Sequence, residues 1–130
     1  MKLPEPAWKL SEKEVLHEFS FLQDVFYFPK FSKSKIKDEY SISTRKGHIE
    51  FNCLIFMFDD GIPFIWVINH NEEPDYSDTW PSNFYWIHDF DPTNALKELM
   101  DKGRDFIKPY VSGCAEILRN HPDILEGKFS

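Results

Sequence analysis

The chain has no lysine or arginine between Gly47 and Leu96. The same stretch carries nine carboxylates, at Glu50, Asp59, Asp60, Glu72, Glu73, Asp75, Asp78, Asp89 and Asp91. The segments on either side are close to neutral, so the net charge of −7 at pH 7 arises in the middle of the chain. Such a field disfavours nucleic acids and anionic membranes as partners and attracts basic molecules. We therefore expect a basic protein partner.

Other features that the sequence lacks indicate in which compartment of the cell the protein acts. No apolar run approaches the roughly 20 residues that a membrane span requires. No apolar stretch follows Lys2, so the N-terminus does not read as a signal peptide. Cys53 and Cys114 are the only cysteines, and their apolar surroundings predict buried, reduced thiols. These features together predict a cytoplasmic protein without a membrane role.

Signatures of catalysis and metal binding are also missing. The sequence has no HExxH, paired CxxC, EF-hand or GxSxG motif, and its five glycines are scattered singly. The strongest candidate metal cluster is His70, Asp75, Asp78, His88 and Asp89, whose members lie on a loop and a strand end that do not predict convergence. We therefore expect no catalytic residue, no metal and no cofactor.

Aromatic residues, in contrast, are plentiful. They make up 17% of the 130 residues, and the hydrophobic content of 42% is enough for one folded domain over residues 1–130. A domain of this size cannot hide so many rings, so some should lie on the surface. Exposed Trp and Tyr side chains commonly anchor protein interfaces.

Local signals predict the order of helices and strands. Residues 1–9 read as an extended arm, and Ser11 with Glu14 forms a capping-box pattern that opens a helix lasting until Pro29. Residues 30–37 are basic and read as a loop or as an edge strand protected by lysines. Strands are predicted at 40–44, 48–58, 62–69 and 84–90, with a hairpin turn at 59–61. The apolar run 53–58 suggests a central strand covered on both faces.

The C-terminal third predicts helix. Asp91 and Pro92 form a helix start, and apolar residues keep helical spacing over about 28 residues. Pro109 should kink this helix or divide it in two near Lys108. The predicted fold class is α+β: an N-terminal helix, an antiparallel sheet of about four strands, and a long C-terminal helix, or two helices, packed on one face.

The acidic loop at residues 70–83 is the main candidate for function, because loops of this length are usually functional or mobile. Trp80 and Tyr76 lie in it, whereas Trp66 and Trp86 lie in strand-like runs that are more typical of a core. The predicted partner-binding residues are Asp59, Asp60, Glu72, Glu73, Asp75, Tyr76, Asp78, Trp80 and Asp89. In this interpretation the carboxylates pair with basic groups of the partner while the rings provide desolvated anchors.

Two segments resemble small bacterial immunity proteins of polymorphic toxin systems. One is Phe19–Phe28 (FSFLQDVFYF), followed by a basic stretch and a hydrophobic hairpin, and the other is the ending Ala115–Ser130 (AEILRNHPDILEGKFS). Those proteins open with a helix leading into an FL…F segment and close with a helix and an ILxG tail. Tyr27 departs from them, because glycine is common at that position. The resemblance implies a protein that binds and blocks a cognate toxin, often a basic nuclease, and it carries over no site residues.

Three functions stay open at this point. The first is an immunity-type inhibitor of a basic toxin, which requires the acidic residues to form one outward-facing patch. The second is a small enzyme or ligand-binding domain with a pocket between sheet and helices, in which His70 or His88 contacts the ligand. The third is a phage-type antagonist of host defence that mimics nucleic acid.

Overall fold

The computed structural model describes residues 5–58, 62–78, 80–100 and 102–128 and confirms the α+β class. The helices are α1 (Ala7–Glu18), α2 (Phe21–Asp24), α3 (Ala95–Leu99) and α4 (Ile107–Asn120). The strands are β1 (Ser32–Ile36), β2 (Glu39–Lys46), β3 (Ile49–Phe56), β4 (Phe64–Asn69) and β5 (Phe84–Trp86). Short 3-10 helices occupy Ile87–Phe90, Arg104–Phe106 and Pro122–Glu126. The described sheet thus has five strands, where the sequence predicted about four.

The five strands form an antiparallel meander in the order β1-β2-β3-β4-β5. Because side chains alternate across a sheet, Ile42, Cys53 and Ile65, which lie opposite one another in register, point to the same face. That face is buried under α1 and α4, and the rings of Phe19 and Phe51 meet there at 4.6 Å. A single apolar core therefore lies between the helices and one face of the sheet.

The start of α1 differs from the predicted one. Pro6 is the N-cap and its carbonyl oxygen accepts hydrogen bonds from the N–H groups of Lys9 and Leu10, so the helix begins at Ala7 rather than at Ser11. The predicted extended arm is therefore wrong at residues 7–9, and residues 1–4 lie outside the described part. Ser11 faces the interior, where its hydroxyl has no hydrogen-bond partner. Burial of Ala7 and Ser11 against the core outweighs the capping-box signal.

The C-terminal helical region is divided, but not at the predicted place. The interruption lies between Leu99 and Ile107 rather than near Lys108. Pro109 lies in the first turn of α4, where a missing N–H breaks no helical hydrogen bond, so this proline is tolerated. Gly113 has no side chain, which allows Leu96 of α3 to pack closely against α4.

One further strand prediction agrees with the structure, and two others are wrong. The basic stretch forms β1, a fully exposed edge strand, which agrees with the edge-strand interpretation. β3 is covered on one face only, because its residues alternate between buried and half-buried, so the prediction of cover on both faces is wrong. β5 ends at Trp86, and residues 87–90 form a 3-10 helix instead of continuing the predicted strand.

Three described residues other than glycine have a positive φ, namely Tyr27, Lys37 and Asn94. Tyr27 has φ +60°, a conformation that costs an L-residue roughly 1–2 kcal/mol but costs glycine little. Its ring is 78% exposed and lies near the ammonium group of Lys46. We expect Tyr27→Gly to raise the free energy of unfolding by about 0.5–1 kcal/mol, measured by urea denaturation. Tyr27→Ala removes the same ring but keeps the strain, so an equal gain in that control would contradict the explanation.

A candidate protein-binding face on the open side of the sheet

The face of the sheet opposite the helices carries a continuous group of aromatic side chains. Register places Phe56, Phe64 and Trp66 of the central strands on this face, together with Phe84 and Trp86 of β5. All are partly exposed, and Trp80 from the loop before β5 joins them. We call these six residues (Phe56, Phe64, Trp66, Trp80, Phe84 and Trp86) the aromatic face.

The rings of the aromatic face form a chain of contacts, in which each ring touches a ring of a neighbouring strand or of the loop. Phe56 meets Phe64 edge-on at 5.5 Å, Phe64 lies 5.9 Å from Trp86, and Trp86 lies 5.7 Å from Trp66. Trp80 packs at 90° against Trp86 with 5.1 Å between ring centroids. These separations lie within the range of favourable aromatic pairs. The cluster is thus ordered before any partner binds, which lowers the entropy lost on binding.

The acidic loop at residues 70–83 is fixed at both ends. Asn69 and Asn83 are joined by two hydrogen bonds, from the Asn69 N–H to the Asn83 carbonyl and from the Asn83 side-chain amide to the Asn69 carbonyl. The His70 N–H donates to the His48 carbonyl at 2.7 Å. The His70 ring also contacts the Glu50 carboxylate at 2.7 Å. The loop therefore leaves the sheet in a defined direction.

A second closure holds Trp80 in place. The N–H of Asp75 donates to the hydroxyl of Ser82 at 2.7 Å, and the N–H of Ser82 donates to the Asp75 carbonyl at 3.0 Å. This small loop presents Trp80, which is 44% exposed, and Tyr76, which is 72% exposed. Asp78 is exposed between them along the chain. The loop thus carries an exposed carboxylate, Asp78, two residues before an exposed tryptophan.

The carboxylates of this loop have different surroundings. Glu72 is half-buried and accepts hydrogen bonds from the Asn69 amide and from the Tyr85 hydroxyl at 2.6 Å. Burial and this contact with Glu72 raise the pKa of Tyr85 to about 12. Hydrogen bonds from Ser77, first of all from its backbone N–H, hold the pKa of Asp75 below its usual range. Glu72 therefore supports the loop, while Asp75 remains ionised at neutral pH.

The predicted partner-binding residues fall into separate groups. Glu72, Glu73, Asp75, Tyr76, Asp78 and Trp80 share the loop after β4. Asp89 lies in the 3-10 helix beyond the opposite end of β5, because β5 runs away from the loop along β4. Asp59 and Asp60, with the hairpin turn at 59–61, lie outside the described residues. The described acidic groups thus include a set on the loop and a separate carboxylate at the far end of the sheet.

His88 connects the aromatic face to the helical layer. Its ring is stacked on Trp86 at 5.4 Å, and its Nδ1 lies 2.9 Å from the Tyr110 hydroxyl of α4. Burial lowers the pKa of His88, a change that the nearby Asp89 carboxylate partly opposes. The imidazole is therefore neutral at pH 7 and serves as a hydrogen-bonding element of the core.

Neither the thiols nor the histidines form a reactive centre in the described part of the chain. Cys53 and Cys114 are free and buried, as predicted, and burial raises the pKa of Cys114 to about 12. Among the described residues, no three His, Cys, Asp or Glu side chains converge on a possible metal position. Among the clefts formed by described residues are four of about 270–410 Å³, and neither His70 nor His88 lines any of these four.

Sequence reasoning missed half of the aromatic face. The sequence patterns do not single out Phe56, Phe64 and Phe84, and they predict a core position for Trp66 and Trp86. Spacing by two residues, as in Phe64 with Trp66 and in Phe84 with Trp86, was a usable signal of a shared face. Which face lacks helices depends on packing, and that packing cannot be inferred from the spacing.

No protein family model, curated protein or solved structure matches this chain. The fold and the site define a two-layer α+β domain with one open, aromatic sheet face. None of the helices in the described part is both long and apolar enough to cross a bilayer.

The buried imidazole makes stability depend on pH in one direction. Because folding lowers the pKa of His88 below its usual 6.5, the unfolded chain takes up the proton at a higher pH than the folded chain does. The free energy of unfolding should fall as pH drops below about 6.5. His88→Gln should flatten this dependence in urea titrations between pH 7 and 5. The exposed control His17→Gln should keep the wild-type slope, and an unchanged slope in His88→Gln would contradict the assignment.

Proposed function

We propose that this chain is an immunity-type protein that acts in the bacterial cytoplasm by binding a basic toxin through the aromatic face and the adjoining acidic loop. The observation that carries the proposal is the pre-ordered group of six rings on a sheet face that no described helix covers. Connected apolar patches that stay partly exposed on a folded protein commonly mark binding sites. Aromatic anchors of this kind supply most of the binding energy in protein interfaces.

The charge of the surrounding segment supports a basic partner. Glu73 and Asp78 are exposed, and among the described residues neither has a lysine or arginine within ion-pair distance. The hydrogen-bonded Asp75 is ionised beside them. Exposed carboxylates without internal partners attract a basic protein and accelerate its encounter with the rings. In mechanism, the carboxylates occupy positions on the toxin that the phosphates of its substrate would take.

The two segments that resemble immunity proteins have structural roles that fit membership of that family. Tyr27, where those proteins commonly have glycine, adopts the left-handed conformation that favours glycine. In the ILxG tail, Ile124 and Leu125 are buried. Gly127 has φ +84°, and a Cβ there would lie 2.9 Å from His48 Nε2. Both segments line one cleft, at Val25–Phe28 and at Leu125 with Glu126. Each motif thus has a physical reason in this fold.

The alternative of a pocket between sheet and helices gains no support. The interior is filled by apolar side chains, including Phe19, Phe51 and Tyr110, which are fully buried. His88 points into this packed layer and is only 5% exposed. The described clefts lie at the surface, and neither histidine is among the residues that line them. Nucleic-acid mimicry would use the same carboxylates, but the aromatic face adds nothing to it.

Charge reversal beside the rings provides the test. In Glu73→Lys/Asp78→Lys, repulsion should slow association with the purified toxin encoded by the neighbouring gene about tenfold at low salt, with a weaker effect at high salt. Asp75 is left unchanged because its carboxylate holds the loop. Stopped-flow kinetics measures the rate, and co-expression with the toxin measures rescue of growth.

Glu98→Lys/Asp105→Lys is the matched control, since it makes the same charge change at exposed positions on the helical side. It should slow association clearly less than the loop variant does. Equal slowing by both variants would mean that net charge, rather than the loop, governs the encounter. If wild-type protein neither binds the neighbouring product nor rescues growth, the proposed function is wrong.

A further inference from the structure

Cations are distributed unevenly over the aromatic rings of this molecule. Lys35 lies 4.6 Å from the Trp8 ring and 5.1 Å from the Tyr40 ring, and Arg119 lies 5.2 Å from the Phe21 ring. Lys46 lies within about 6 Å of two further rings, those of Tyr27 and Phe28. All of these rings lie outside the aromatic face. Within the described residues, no ring of the aromatic face has a lysine or arginine over it.

The missing cations follow directly from the sequence. Five of the six rings lie on strands built from the stretch without lysine or arginine, and Trp80 lies on the loop within that stretch. Arg45 is the basic residue of β2 that points to the open side, and its side chain donates to the Gly47 carbonyl beyond the end of β2. Within the described residues, no lysine or arginine of this chain therefore competes with a partner for the rings of this surface.

We propose that the aromatic face is selective for arginine, so that guanidinium groups of the bound toxin stack on Trp80 while Glu73, Asp75 and Asp78 pair with their N–H groups. This inference rests on the proposed function and names the chemistry of the partner surface. Trp80 is the ring best placed for this contact. It lies on a doubly closed loop and packs edge-on against Trp86, yet it is 44% exposed. Glu73, Asp75 and Asp78 lie within eight residues of it along the chain.

Arginine fits this site better than lysine for a physical reason. A guanidinium group is planar and weakly hydrated, so it can stack on an indole ring and donate in its own plane to a carboxylate at the same time. An ammonium group is a strongly hydrated point charge that gains from the carboxylates but much less from stacking. The rings should therefore determine the preference for arginine over lysine, whereas the carboxylates should attract both cations.

The test uses peptides of six arginines and six lysines, titrated into the full-length protein by calorimetry in low salt. We expect the arginine peptide to bind at least threefold more tightly. Trp80→Ala should weaken the arginine peptide about three- to fivefold and the lysine peptide less than twofold. Trp80→Phe should retain part of the preference. Glu73→Gln/Asp78→Asn should weaken both peptides by similar factors.

Tyr27→Ala is the matched control, because it removes an exposed ring that lies outside the aromatic face. It should leave both affinities unchanged. Equal binding of the two peptides, or an equal loss of both in Trp80→Ala, would overturn arginine selectivity. Near-ultraviolet circular dichroism checks folding, and Trp80→Phe decides the result if Trp80→Ala does not fold.

The two proposals fail separately. Toxin binding with no arginine preference would overturn this inference and leave the proposed function in place. A Trp80-dependent arginine preference in a protein that does not bind the neighbouring toxin would overturn the proposed function alone.

Discussion

The architecture of this molecule depends on the fact that its long helices can cover only one face of its sheet. A sheet of five strands spaced about 4.8 Å apart is roughly 20 Å wide, and two adjacent helices, each about 10 Å across, cover that width once. Besides the one-turn segments, α1 and α4 are the only helices in the described chain. Both pack on the same face and complete a single core. The opposite face must therefore be stabilised by its own side chains.

The open face meets that need with contacts between rings. Trp66 is at the centre of the cluster and contacts Trp80, Phe84 and Trp86. These contacts remove part of each ring from water without a covering layer, and the remaining exposure is what a partner would bury. His88 links these rings to the core, because its ring stacks on Trp86 and hydrogen-bonds with the Tyr110 hydroxyl in α4. The aromatic face and the core are thus connected through His88.

Element types were predictable where local chemistry decides them. Val15 and Phe19 have the spacing of a helical period, and the residues of β2 alternate with the two-residue period of a strand. Tertiary contacts favour the same helix and strand. Boundaries failed where packing competed with local signals. Ser11 has a capping pattern but is buried within α1, and Pro109 fits the first turn of a helix whose interruption lies earlier.

The sequence by itself determined the charge of the surface segment and the richness in rings, because both are properties of composition. It also placed Trp80 and Asp78 on one exposed loop, since polar residues with prolines cannot form a core strand. Only the tertiary structure decided that Trp66 and Trp86 line an open face, and that Asp89 lies at the far end of β5. A side chain's face depends on register, and its exposure depends on which face the helices cover, so neither can be read from neighbouring residues alone.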